Sequence, residues 1–312
     1  MTDEEKPLTR EEALKLIEEH GGPEGLDLSN RNLNGIDLSP TEDEPGLALQ
    51  GINLKNANLE GANLQGAHLW DGNLQGAYLR KANLQGAILW IANLQGANLG
   101  RANLQEVHLT KAKLQGADLR MAKLQGADLR GAYLSKAKLY LSEIYRDTKL
   151  NDVDWGPKYV IGDEEAGEFN FAEEMYRNLK QWHTESGIYD IAGEFYFREM
   201  TVGRKALKWW PNPLPRALSK FLSILCGYGE KPFRVVVSAA VVVFGMAAIY
   251  SISALSFPSA LYYSAASFTA LGYGLWVSVP EGWVKALGAI EAIVGVFMMA
   301  LFLITFVRKM TR

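Results

Sequence analysis

Six consecutive residues, Thr269, Ala270, Leu271, Gly272, Tyr273 and Gly274, can do chemistry with their backbone alone. The glycines let carbonyl oxygens turn toward a common axis, where rings of such oxygens replace the hydration shell of a cation. A second candidate is Glu291, a carboxylate inside a long apolar run. An ionisable group in such a run is a functional candidate by default. Bracing a short neighbouring helix through Ser264 or Ser267 and holding charge near the outer end of an ion path are the roles its position offers, and hydration near the outer interface is the plainer one. The rest of the chain offers little reaction chemistry. No nucleophile–base arrangement, phosphate loop or metal-ligand spacing stands out, so catalysis and a bound cofactor are not expected. His183 and the carboxylates near it read as ordinary surface. The single cysteine, Cys226, excludes an internal disulfide and fits a reducing compartment.

The elements that must position these residues are apolar. Phe233 to Phe257 and Trp283 to Val307 are each long enough to cross a hydrocarbon core of about 30 Å. Between them, Pro258 is placed to start a short helix ending near Phe268, whose negative C-terminal dipole would face the glycine-containing run. Lys and Arg cluster before the first stretch and after the second, while 258–282 has neither. The positive-inside rule then predicts a multi-pass cell-membrane protein with both termini cytoplasmic. The acidic N-terminus lacks an apolar core, and no cleaved leader is expected.

Span, short helix, Gly-Tyr-Gly and span, in that order over about 75 residues, resemble the pore of the potassium channels, whose filter reads T-T-V/L-G-Y-G-D. A second Gly-Tyr-Gly, Gly227 to Gly229, has no such helix before it and reads as a turn. The resemblance implies a potassium ion held by the backbone carbonyls of Ala270, Leu271, Gly272 and Tyr273. Two departures, Ala270 for threonine and Leu275 for aspartate, put strict preference for potassium over sodium in doubt. Gly288 and Gly295 are candidates for a gating bend, or for close helix packing; Phe302 and Phe306 are candidates for an apolar gate, or for facing lipid. One filter segment cannot encircle an ion, so a homotetramer is implied. No helix of spaced Arg residues suggests steep voltage sensing.

The first half of the chain is periodic in five. Leu recurs at every fifth position from Leu49 to Leu139, nineteen times, and the residue two before it is Ala in fifteen cases. Leu28, Leu33 and Leu38 share the spacing ahead of a charged insertion, Thr41 to Gly46. Neither helix nor strand has this period, so the chain must turn a corner every five residues. The pattern resembles the pentapeptide-repeat family, which implies a right-handed quadrilateral β-helix of four repeats per coil. Nineteen repeats then make nearly five coils, about 24 Å tall. Gln recurs every ten residues and predicts amide ladders, such as Gln65, Gln85, Gln105 and Gln125. Residues 49–139 carry 11 basic and 5 acidic side chains. That balance argues against the acidic DNA mimicry known for some of the family, and no nucleic-acid partner is expected. An unknown cytoplasmic ligand or protein could meet this surface, although a solvated face is the plainer reading.

Thr9 and Glu12 read as a capping box opening a helix that Gly21-Gly22-Pro23 stops. Beyond the repeats, Phe171, Met175, Leu179 and Trp182 have helical spacing, and a second helix is expected over about Ile188 to Trp209. Leu218, Phe221, Leu222 and Leu225 oppose Arg216 and Lys220 in an amphipathic segment suited to a bilayer surface. The expected fold class is therefore multidomain. A capping helix (1–23) leads into a pentapeptide-repeat β-helix (24–156) and a cytoplasmic helical connector (157–231). An all-α transmembrane pore domain with two spans (232–312) follows. The expected function is a tetrameric cation channel, with potassium as the permeant ion. A weakly selective monovalent cation channel and a non-conducting membrane-anchored scaffold are the alternatives.

Overall fold

The structure, a computed structural model, describes residues 6–39, 41, 48–207, 213–253, 255–270 and 281–310. It forms two compact units, Met1–Ala206 and Leu207–Arg312.

The first unit begins with α1, Arg10–His20. Both halves of its capping box are present: Glu12 N donates to Thr9 Oγ1 (3.2 Å) and Thr9 N to Glu12 Oε2 (2.8 Å). Arg10 donates to the carbonyls of Asp37 and Ser39, and Ala13 is buried in the core, so α1 covers the first coil.

Coils then stack through parallel single-residue bridges, each at the residue before an apolar side chain that is Leu everywhere except at Ile144 and Trp155. Five residues between corners leave room for one bridge per side, so continuous strands do not develop among the described residues. Bridged partners are 20 residues apart, as in Asn73↔Asn93, except at the first and the last steps of the stack. The spacing is 26 for Asp27↔Asn53, Asn32↔Asn58 and Asp37↔Asn63, across the charged insertion, and 21 for Asp128↔Lys149 and Tyr133↔Asp154. One column runs from Asp27 through Asn53, Asn73, Asn93, Lys113 and Tyr133 to Asp154. Those steps amount to a tower of roughly 29 Å. It is taller than the Leu49–Leu139 run predicts, because the early leucines and the residues after Leu139 join the same stack.

The inward Leu and Ala side chains are essentially inaccessible along the whole tower. Each corner takes a positive φ, which Gly66 (64°) and Gly86 (65°) adopt freely. Ile91 (54°), a β-branched residue, is the costliest occupant. The Gln ladders are partial: Gln95 donates to Gln115 and Gln105 to Gln125, both at 3.2 Å. Asparagine makes the fuller ladders, Asn93 to Asn73 to Asn53 and Asn103 to Asn83 to Asn63, at 3.0–3.3 Å. The Asn73 and Asn83 Oδ1 atoms also accept from the amide two residues on, which closes a turn.

A one-turn helix, α2 (Gly162–Glu165), plugs the last coil. Gly162 N donates to Ala137 O (2.8 Å), and the buried Asp163 carboxylate accepts from Leu139 N (2.7 Å). Helices α3 (Phe169–Glu185) and α4 (Tyr189–Ala206) pack together behind it. Buried Glu164 ties them in, accepting from Tyr176 Oη (2.8 Å) and Lys205 Nζ (2.7 Å), with Arg198 3.6 Å away. His183 is not at the surface: it continues the buried i, i+4 row of Met175 and Leu179 and is wholly inaccessible.

The second unit is helical. It contains α5 (Pro213–Cys226), a turn at Gly227–Gly229, α6 (Pro232–Ser253), α7 (Phe257–Thr269) and α8 (Trp283–Met310). Pro232–Ile252 and Trp283–Val307 are long and apolar enough to cross a membrane. Only 17% and 22% of their most apolar stretches are buried, unlike the core helices of a soluble protein. On α5, Leu214, Leu218, Phe221 and Ile224 are exposed together.

Candidate ion-pathway site

Helix α7 lies against both α6 and α8. Ser256 precedes it in extended backbone and Pro258 sits in its first turn, where a missing N–H costs nothing. Its inner face, Ala260, Tyr263, Ser264, Ala266, Ser267 and Phe268, is buried. Thr269 ends the helix with its hydroxyl turned back onto Ala265 O (2.7 Å). Ala270 then adopts a left-handed conformation (φ 53°), donating its N–H to Ser267 O (3.0 Å). The chain thus leaves the helix abruptly where the glycine-containing run begins. Leu271, Gly272, Tyr273 and Gly274, with Leu275, lie outside the described residues, so of the four carbonyls assigned to potassium only that of Ala270 is described.

Glu291 joins all three helices. It is 2% exposed and accepts from Tyr250 Oη of α6 (2.8 Å) and from Ser264 Oγ of α7. Ser264 Oγ is also 2.9 Å from Val243 O, but its single proton serves one acceptor at a time. The Tyr250 ring stacks edge-on against Tyr263, with centroids 5.0 Å apart. Tyr250 was not singled out by sequence; a lone Tyr in an apolar span, on the helix facing a buried carboxylate, was the available signal.

The two glycines of α8 stand where α7 approaches it. A Cβ on Gly288 would lie 2.5 Å from the Tyr263 hydroxyl and 3.2 Å from Ser267 Oγ. A Cβ on Gly295 would collide with the backbone of Phe268. Ser267 is buried at this contact rather than at Glu291's carboxylate bonds. Phe302 and Phe306 stack on each other 5.6 Å apart. Phe302 lines an apolar groove of about 360 Å³ with Val235, Ala239, Phe268, Met298 and Leu303, whereas Phe306 is exposed. Among the described residues no three His, Cys, Asp or Glu side chains are grouped to hold a metal ion.

Comparison with known families agrees with this geometry. Residues 49–90, 92–126 and 116–141 match the pentapeptide repeats, in 8 copies, and residues 236–312 match the ion channel family. The chain is therefore a pentapeptide-repeat protein whose C-terminal part is an ion channel domain.

Solved structures similar to this chain are themselves pentapeptide-repeat proteins. HetL from Nostoc sp. strain PCC 7120, involved in heterocyst differentiation regulation, is 24% identical over 46% of this chain and 56% of its own, with a TM-score of 0.37. Rfr23 from Cyanothece 51142 is 26% identical over 43% and 87%, with a TM-score of 0.26. AT2G44920 from the Arabidopsis thaliana thylakoid lumen is 30% identical over 37% and 69%, with a TM-score of 0.20. The chain spans little more than half of HetL. With every TM-score below 0.5, the coil assignment rests on the hydrogen bonds described above. A search of the curated proteins found no match to this chain.

Proposed function

We propose that this chain is the subunit of a homotetrameric cation channel, with potassium as the main permeant ion and the repeat unit as its cytoplasmic regulatory part. The observation carrying the reading is α7: a short helix wedged between two membrane-length helices, ending in a left-handed residue directly before Leu271-Gly272-Tyr273-Gly274. Four such segments around one axis would aim four helix C-termini and four sets of carbonyls at an ion. On this reading Thr269 through Gly274 form the filter, and Glu291 with Ser264 holds α7 in place. Ser267 supports it beside Gly288, Gly288 and Gly295 set the α7–α8 approach, and Phe302 and Phe306 narrow the cytoplasmic end. Four functional segments (1–23, 24–156, 157–231 and 232–312), right-handed coils and cytoplasmic termini belong to the same proposal. The repeat unit would bind an unidentified ligand or protein, and no cofactor is required.

Ala270 favours a second reading, a weakly selective monovalent cation pore, because it lacks the hydroxyl that the usual threonine would offer there. The test is recording from the purified protein in planar bilayers, with potassium on one side and sodium on the other. Reversal near the potassium equilibrium potential supports the first reading, and reversal near zero with clear openings supports the second. Silence that persists after removal of residues 1–156 would leave a membrane-anchored scaffold.

A further inference from the structure

Helix α3 turns a histidine into the core of the repeat unit, where the last coil meets the helical pair. His183 is wholly inaccessible. Its ring lies 4.9 Å from that of Trp182, 5.2 Å from Phe195 of α4 and 6.1 Å from Trp155 at the end of the solenoid. Nδ1 is 2.8 Å from the Leu179 carbonyl, which can only accept, so Nδ1 carries the ring proton. Nε2 is buried with no hydrogen-bond partner. A neutral imidazole tolerates this position. An imidazolium would present a second N–H to aromatic rings with no acceptor.

Among the described residues, no counter-charge compensates from the elements packed around the ring. Glu199 of α4 is held by Arg177 (3.0 Å) and Lys180 (2.7 Å), and Glu164 of α2 by Lys205 and Arg198. On the solenoid side and along α4, Asp154, Asp190 and Glu194 act on Tyr159, which burial, first, and these carboxylates hold above the usual phenol range. Tyr176 is engaged with Glu164. Glu185, two residues along α3, bonds to Arg146 and Gln181 at the surface. Burial accordingly pushes the His183 imidazole below its ordinary value, only partly offset by the bond to Leu179 O.

We propose that His183 makes the docking of α3 and α4 onto the last coil a proton-operated clasp: closed near neutral pH, and opened when acid protonates the ring released from its aromatic cage. As regulation of a channel this rests on the function proposed above; as a property of the repeat unit it does not. The sign follows from linkage. A group whose folded value is depressed binds more protons when released, so stability is lost as pH falls below about 6.5. For a ring that stays neutral while the clasp is closed, going from pH 7.5 to 5.5 raises the opening equilibrium about tenfold.

The test is hydrogen–deuterium exchange on the full-length protein in lipid nanodiscs, reading peptides within 169–206 and correcting for intrinsic exchange. The parent should show the tenfold rise, and His183→Phe and His183→Gln should each show less than twofold. Unchanged protection in the parent, or an equal rise in the variants, would overturn the proposal. If a variant does not fold, the other suffices, and imidazole NMR of the parent decides independently. A ring that charges at pH 5.5 while the helices stay protected would also overturn it. Exchange needs no conducting pore, so a silent bilayer recording would sink the channel reading and leave the clasp standing.

Discussion

Glu291 accepts from Tyr250 and Ser264 where little water can replace a lost bond. Truncation removes the acceptor of both the Tyr250 and the Ser264 hydroxyls, whereas an amide keeps one acceptor in place. Glu291→Ala should therefore cost about 2 kcal/mol and Glu291→Gln less than about 1 kcal/mol, read as thermal unfolding in detergent. Equal losses would mean that the carboxylate's bonds do not hold α7. Glu291 was legible in the sequence because a charge in an apolar run is conspicuous. His183 was not, since its i, i+4 relation to Met175 and Leu179 reads as burial only once the row is followed past Trp182. The asparagine ladder was passed over for a related reason. Its residues recur as regularly as the glutamines, but hydrogen bonding to both the next coil and the local backbone becomes apparent only when coils are stacked.

Between α7 and α8 the two glycines differ in what they spare. At Gly288 the obstacle is the end of a tyrosine side chain, which can swing; at Gly295 it is the Phe268 backbone, which cannot. Gly295→Ala should destabilise the pore unit by about 1–3 kcal/mol and Gly288→Ala by clearly less, with melting temperature in detergent as the check. The opposite order would mean that α7 is held elsewhere. Helix positions were largely readable from the sequence. Apolar length marked α6 and α8, a proline and the following run marked α7, and period-five leucines marked the coils. Coil height was not readable, because the insertion before Ala48 and the extra residue near Lys149 break the period while leaving the hydrogen-bonded register intact.

Across the repeat unit, the end plug carries its own pH dependence. Burial, aided by nearby Glu168, raises the Asp163 carboxyl above its ordinary value despite the bond from Leu139 N. A folded value above the unfolded one gives stability that is complete below about pH 3.9 and is lost as pH rises through the elevated value. Asp163→Asn keeps an acceptor for Leu139 and removes the charge. Its unfolding midpoint should exceed the parent's at pH 7, with the gap closing toward pH 4; a constant gap would refute the assignment. The stacking itself has a mechanical corollary. Main-chain bonds join each coil to the next, so they lie along the tower's axis, and tension applied between its two ends loads the coils in series. Such a tower does not resist as a shear-loaded sheet would: it yields by peeling, each 20-residue coil paying out about 60–70 Å of slack in a regular sawtooth.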